Sequence, residues 1–380
     1  MITQLKIENF KSHKNTDLQL RNLILLTGVN GCGKTSIIQS LLLMRQSFLK
    51  GRLAEGLDLN KPLCSVGIAH DALYRLAKNG ILSFEFKDES SNIYQLKFNA
   101  EHNLNDSFII KHNYSPNIVP EELIKLSLFN NDFQYISASR WGGRSAFPKE
   151  TYAAETQKQI SLDDGQGELV AQFLYKYGGD VVPNYTDEVL VSKLHLLDQV
   201  IYWEQKVSPR VTIRVESGND NNSYTINYGF EGDENNKPLE NLKAQNIGYG
   251  ISYTLPVIVA LLSAKPGALI ILENPEAHLH PAGQAELAKL MTRVAENGIQ
   301  VIVETHSDHI INGVLVACNQ FEKKMRGINK DKVCIYYMNS KDEQHATKVQ
   351  EVKVQEKGVD YQPEGFFDQA EKDMYKLFNE

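Results

Sequence analysis

At 380 residues, with 42% hydrophobic and 23% charged side chains, the chain has the make-up of an ordinary globular protein, which excludes a disordered tail or a small disulfide-stapled scaffold. Forty basic against forty-seven acidic residues leave a formal charge of −7, which argues against a surface that clamps nucleic acid or anionic lipid as a whole but leaves room for a basic patch. Cys32, Cys64, Cys318 and Cys334 show no C-x-x-C spacing, the opening MITQLKIENFKSH has no apolar signal core, and the longest apolar run (255–262) is far short of the ~18 residues that span a bilayer, so a cytoplasmic protein without membrane contact is expected.

Residues 3–10 alternate apolar and polar side chains, 17–20 continue the pattern, and 22–26 end in an unbroken apolar run, which predicts three strands, the last one buried. There follows Gly28-Val-Asn-Gly-Cys-Gly-Lys34-Thr35, a G-x-x-x-x-G-K-[ST] loop. Behind it Ile37, Ile38, Leu41, Leu42, Phe48 and Leu49 recur at helical spacing. A strand, this loop and a helix in that order wrap a nucleoside triphosphate. Backbone N–H groups across Asn30, Gly31, Cys32, Gly33 and Ser36 approach the phosphates, Lys34 reaches the β and γ oxygens, and the Thr35 hydroxyl faces Mg²⁺. Because the backbone does the binding, the Cys32 thiol is expected to be inert, with alkylation slowed by ATP.

Residues 51–241 look different: short alternating stretches at 81–86, 93–98 and 134–136, helical patterns at 168–177 and 189–204, a hairpin pairing 211–215 with 224–228, and loops at 217–222 and 232–236. They read as a large α+β insertion. Arg140 and Arg144 follow one of its strands and either contact phosphate or the opposite lobe, or form ordinary surface ion pairs. From 244 onward strands and helices alternate: a helix at 252–262, a strand at 268–272, a helix at 283–296, a strand at 300–303, a helix at 308–318, a strand at 333–338 and a closing helix at 362–377. That order predicts an α/β P-loop fold, a mixed but mostly parallel sheet with helices on both faces.

Three polar clusters fall at strand or helix ends. The apolar Ala268-Leu-Ile-Ile-Leu272 stops at Glu273-Asn274-Pro275-Glu276, which puts Glu273 where a Walker B acid holds magnesium and its water. Val301-Ile-Val303 precedes Glu304-Thr305-His306-Ser307, where His306 either senses the γ-phosphate or is a hydrogen-bonded histidine at a helix start. Asn246-Ile-Gly248-Tyr-Gly250-Ile-Ser252 opens a helix, with Ser252 able to cap it or donate to phosphate.

The opening Ile2-Thr-Gln-Leu-Lys-Ile-Glu-Asn-Phe10-Lys11, the GVNGCGKTS loop, the stretch Ile270–Pro281 (ILENPEAHLHP) and Glu304-Thr-His-Ser307 together resemble ABC-type ATPases of the SMC, RecF and OLD group. They look most like the bacterial AAA/ABC-hybrid ATPases of phage-defence cassettes, a likeness the tail motif 363–368 shares. The resemblance implies an ATP sandwich, in which the phosphate loop of one copy faces the signature helix of another. Gly248, Gly250 and Ser252 would then meet the γ-phosphate across the interface, and the loop 277–280, with His278 and His280, would communicate between sites. Zinc on those histidines lacks a completing ligand set. One departure stands out: Asn274 occupies the position where many ABC ATPases carry the glutamate that polarises the attacking water, and an amide cannot take its proton. Slow hydrolysis is therefore expected, with His306 poised at the site and Glu276 as the fallback base.

After Glu273 there is no D-x-D pair of a Toprim nuclease, and no HExxH or G-x-S-x-G set is present. The chain is divided as 1–50 and 242–340 for two ATPase lobes, 51–241 for the insertion and 341–380 for a C-terminal strand and helix. The expected function is nucleotide-driven closure of a homodimer or higher oligomer that controls a separately encoded effector, with anti-phage defence as its setting. The alternatives are a RecF- or SMC-like ATPase that clamps DNA itself, and a transporter ATPase subunit. The basic run Lys323-Lys324-Met-Arg326 with Lys330 and Lys332 is either a contact for DNA or a partner, or a solvated helix face.

Overall fold

A computed structural model describes residues 1–116, 120–186, 194–218, 222–232, 237–339, 342–355, 358–366 and 369–379. The chain opens with β1 (Ile2–Phe10), β2 (His13–Gln19), β3 (Leu23–Gly28) and α1 (Lys34–Leu49). Then come β4 (Gly56–Asp58), the single turn α2 (Ala69–Ala72), β5 (Ile81–Asp88), β6 (Ile93–Asn99), β7 (Phe108–Lys111), the single turn α3 (Pro120–Leu123), β8 (Phe133–Ile136) and β9 (Ala146–Pro148). Next are α4 (Val170–Tyr177), α5 (Leu196–Val207), β10 (Val211–Ser217), β11 (Ser223–Phe230), β12 (Leu239–Lys243) and α6 (Tyr249–Ser263). The remainder is β13 (Leu269–Glu273), α7 (Pro281–Glu296), β14 (Gln300–Glu304), α8 (Asp308–Lys324), β15 (Val333–Met338), β16 (Gln350–Val352), the short pair β17 (Val354–Gln355) and β18 (Gly358–Val359), and α9 (Gln369–Asn379).

The central sheet has the order β16-β15-β3-β14-β13-β8, parallel except for β16. Its unbroken apolar strands follow from burial on both faces. Leu23, Leu25, Ile270, Leu272, Val301 and Val303 point into one core; Ile24, Leu26, Leu269, Ile271 and Ile302 point into the other. Helices α5, α6, α7 and α8 pack together on the first face. On the second lies α1, which contacts β1, β3 and β4 and buries residues around its whole circumference, including Ser40, Gln46 and Ser47. A helix so enclosed sits between two sheets, and the outer one is antiparallel, β2-β1-β5-β6-β7-β4. A third, β10-β11-β12 with β9 added on β11, covers α4 and α5.

Several expected boundaries move. The 134–136 strand joins the central sheet beside β13, so residues 51–241 supply strands to both main sheets. The fifth helix begins at Leu196; the earlier part of the 189–204 pattern, like parts of the 217–222 and 232–236 loops and residues 367–368 of the tail motif, lies outside the described residues. Helix α8 continues to Lys324 and stops where Met325 turns left-handed. The last helix is Gln369–Asn379, and Pro363–Phe366 before it forms a turn whose Phe366 ring packs edge-on against Tyr337.

Candidate functional site

Strands β3, β14, β13 and β8 all end at one edge of the central sheet, where open α/β sheets hold ligands. The loop after β3 carries residues 28–34, that after β14 Thr305–Ser307, that after β13 Asn274–His280, and that after β8 Ser137–Arg144. Four segments distant in sequence thus converge at one rim.

The phosphate loop turns on Gly33, whose φ of 96° is left-handed and which precedes the first residue of α1. A Cβ there would meet Thr347 Oγ1 at 2.6 Å and Ser12 Oγ at 2.8 Å, so only glycine fits. The loop is braced from behind: His13 Nε2 lies 2.9 Å from the Gly33 carbonyl, and the Thr347 hydroxyl meets the Cys32 carbonyl at 3.1 Å. Lys34 is buried and donates to the Gly28 and Val29 carbonyls, both at 2.9 Å. Desolvation lowers its pKa, so an anion arriving in the loop would replace neutral acceptors with a charged one. Lys11, Ser12, Asn30, Gly31, Gly33, Lys34, Thr35, Ser36, Glu304 and His306 line an open cleft of about 370 Å³. Cys32 is buried behind the loop and packs into the core beneath α1, which makes it a poor alkylation target with or without nucleotide.

The acidic side of the cleft differs from expectation in one respect. Thr35 donates to Glu304 at 2.9 Å, whereas Glu273, side by side with Glu304 across the β13–β14 ladder, accepts from the Tyr135 hydroxyl at 3.0 Å and the Ala138 N–H at 3.3 Å. Burial, then the neighbouring Glu273, pushes the Glu304 carboxyl up to about 7. Glu304 Oε2 is buried without a hydrogen bond among the described residues. A hydroxyl, a buried orphan oxygen and two adjacent carboxylates are hard-oxygen donors that suit Mg²⁺. Sequence reading gave Glu304 no role, although QVIVE repeats the pattern of LIILE, an apolar strand ending on a glutamate.

Asn274 adopts φ +43° and donates its N–H to the Glu304 carbonyl, leaving its buried Oδ1 without a partner among the described residues. Glu276 accepts the His306 N–H at 2.8 Å and so ties the β13 loop to the β14 loop. The His306 ring stands exposed over the cleft, its pKa lowered by desolvation and then by Lys34, which favours the neutral imidazole. Ser252 neither caps α6 nor points free. It accepts the Gly143 N–H at 3.0 Å and donates to the Tyr249 carbonyl, and the N-cap is Gly248. Gly250 approaches the His278 carbonyl so closely that a Cβ would lie 2.9 Å from it. The His278 ring packs on Tyr253 and Tyr249, and His280 caps α7 through the Ala282 N–H. Arg140 forms no surface ion pair among the described residues; it is buried and bonded to backbone carbonyls, while Arg144 stacks on Trp141.

Residues 1–207 match the family model described as "AAA ATPase domain". The chain belongs to that family. Residues 187–312 of this AAA ATPase match a second model, "AAA domain, putative AbiEii toxin, Type IV TA system", and residues 328–377 match one described only as a protein of unknown function. Its fold is similar to that of the Smc head bound to the C-winged helix domain of ScpA (14% identity, 93% of this chain and 98% of that one, TM-score 0.57). It is also similar to the Smc head domain with an extended coiled coil bound to the C-terminal domain of ScpA derived from Pyrococcus furiosus (12% identity, 99% of each chain, TM-score 0.52). No curated protein sequence matches it. The AAA ATPase therefore has the fold of an SMC-type head, and no helix among the described residues is long and apolar enough to cross a membrane.

Proposed function

We propose that ATP enters the cleft between the phosphate loop and Glu304, and that its γ-phosphate draws the Gly248–Ser252 turn of a second copy over it, closing a dimer that controls a separately encoded effector in anti-phage defence. The observation that carries this reading is the convergence at one rim of Lys34, Thr35, Glu304 and His306, with Lys34 held by neutral carbonyls that a phosphate would outcompete. The loop amides, the α1 N-terminus and Lys34 bind and orient the phosphates; Thr35, Glu304 and Glu273 would hold Mg²⁺, which supplies charge neutralisation at the β and γ oxygens. Asn274 can orient a water but not deprotonate it, so turnover is slow and closure is the principal event.

The segment 51–241 is assigned a functional part of its own, although its end at 241 falls within β12 and its β8 belongs to the central sheet. The sheet β10-β11-β12, which covers α4 and α5, is the surface we assign to the partner. Lys34→Ala tests the site. It should cut ATP affinity by about tenfold to a hundredfold in an equilibrium titration, the loss of a charge-assisted contact; unchanged affinity would refute it. A second reading, direct DNA contact, draws on the groove between α7 and α8 lined by Lys289, Arg293, Lys324 and Arg326. It requires ATP-stimulated duplex binding that weakens steeply with salt.

A further inference from the structure

Arg140 follows β8 and is 1% exposed. A guanidinium carries five N–H donors in a rigid plane, and here all five are satisfied by backbone carbonyls. Nε donates to Tyr253 at 2.8 Å, Nη1 to Ser137 and Glu273 at 3.0 Å each, and Nη2 to Asn274 at 2.9 Å and Pro275 at 3.3 Å. Three consecutive carbonyls of the turn after β13 and one of α6 are thereby fixed to the end of β8 by a single side chain. The Tyr253 ring lies 5.4 Å from the guanidinium carbon and also packs on His278. A buried cation with no carboxylate bonded to it is costly, and the cost buys a defined geometry.

We infer that Arg140 is a positioning residue that joins the Glu273–Pro275 turn to the first turns of α6, so that filling the nucleotide cleft and presenting the Gly248–Ser252 turn to a second copy become one event. This rests on the closure proposed above. Arg140 is not among the residues lining the phosphate cleft, and it meets Glu273 and Asn274 only through their main-chain carbonyls, so the phosphate-binding loop, Lys34 and Thr35 keep their geometry without it. Lysine, with three donors and no plane, cannot bridge the same carbonyls.

Arg140→Lys and Arg140→Ala should bind ATP within about threefold of the parent chain and keep KM, yet lose kcat and ATP-dependent self-association by about thirtyfold or more. Millimolar guanidinium should restore turnover to Arg140→Ala by refilling the vacated space, a rescue that repair of general stability would not give. Should both variants fail to fold, hydrogen exchange on the unsubstituted protein decides the point, at dilutions where it is a single chain. ATP should slow exchange at residues 249–255 as well as 274–280. Kcat within twofold of the parent in Arg140→Lys, or protection confined to 274–280, would overturn the assignment. The exchange comparison uses single chains, so it reads the coupling of the two segments that the Arg140 assignment requires, whether or not the chains associate.

Discussion

At the residue scale the proposed slow turnover rests on Asn274, an amide where the resemblance to ABC-type ATPases leads one to expect an acid. Asn274 sits on a left-handed backbone position that asparagine tolerates, its carbonyl oxygen buried beside the cleft with nothing to bind among the described residues. Restoring a carboxylate through Asn274→Glu should raise kcat by about tenfold or more, since a positioned general base contributes at least that much. Glu276→Gln is the informative partner: it keeps an oxygen for the His306 N–H and removes only the charge. If the first variant left steady-state turnover unchanged and the second abolished it, Glu276 would be the base and Asn274 a bystander. Lys34, Thr35 and the glycines were legible because the spacing of a phosphate loop is local. The partner of Thr35 was not, because it lies 269 positions away and only strand register sets Glu304 beside it. Arg140 was visible as an arginine after a strand, but nothing in the sequence distinguishes a guanidinium saturated by carbonyls from one awaiting a phosphate.

At the scale of elements, helix α6 is set by a second buried acid. Glu204 on α5 is fully enclosed and meets the Thr254 hydroxyl at 3.1 Å; Thr254 in turn lies 2.7 Å from the Gly250 carbonyl at the start of α6. Desolvation raises the Glu204 pKa well above its ordinary 4.5, an effect only partly offset by Thr254. A carboxyl whose folded pKa is raised stabilises the fold fully below the unfolded value, and that contribution is lost as pH rises through the folded value. Glu204→Gln should therefore gain in Tm relative to the parent as pH is raised from 6 to 9, read by calorimetry. An offset independent of pH would mean that Glu204 does not titrate in this range. Elements were readable where period and length agreed: β3, β13, β14 and β15 are apolar runs because both faces are buried. Strand β8, only four residues long, was readable as a strand but not as a member of the central sheet, since sheet membership depends on a partner over 130 positions on.

At the scale of the whole molecule, the chain is one ATPase head in which two sheets clasp α1 and residues 51–241 complete both. The α/β class and the parallel sheet followed from strand–helix alternation, the phosphate loop from its local spacing. The interleaving of the middle segment did not, because non-local pairing leaves no periodic trace. The charge of −7 is consistent with a single anionic ligand held by backbone amides and Lys34 rather than by a basic surface. The central claim is that ATP in the cleft brings two copies together. Light scattering on the purified chain, with and without ATP and Mg²⁺, tests it directly. Saturating nucleotide should shift the mass from 42.9 kDa to twice that value, with Lys34→Ala remaining at the single-chain mass. A parent chain that binds ATP to saturation yet keeps the mass of one copy would contradict the account.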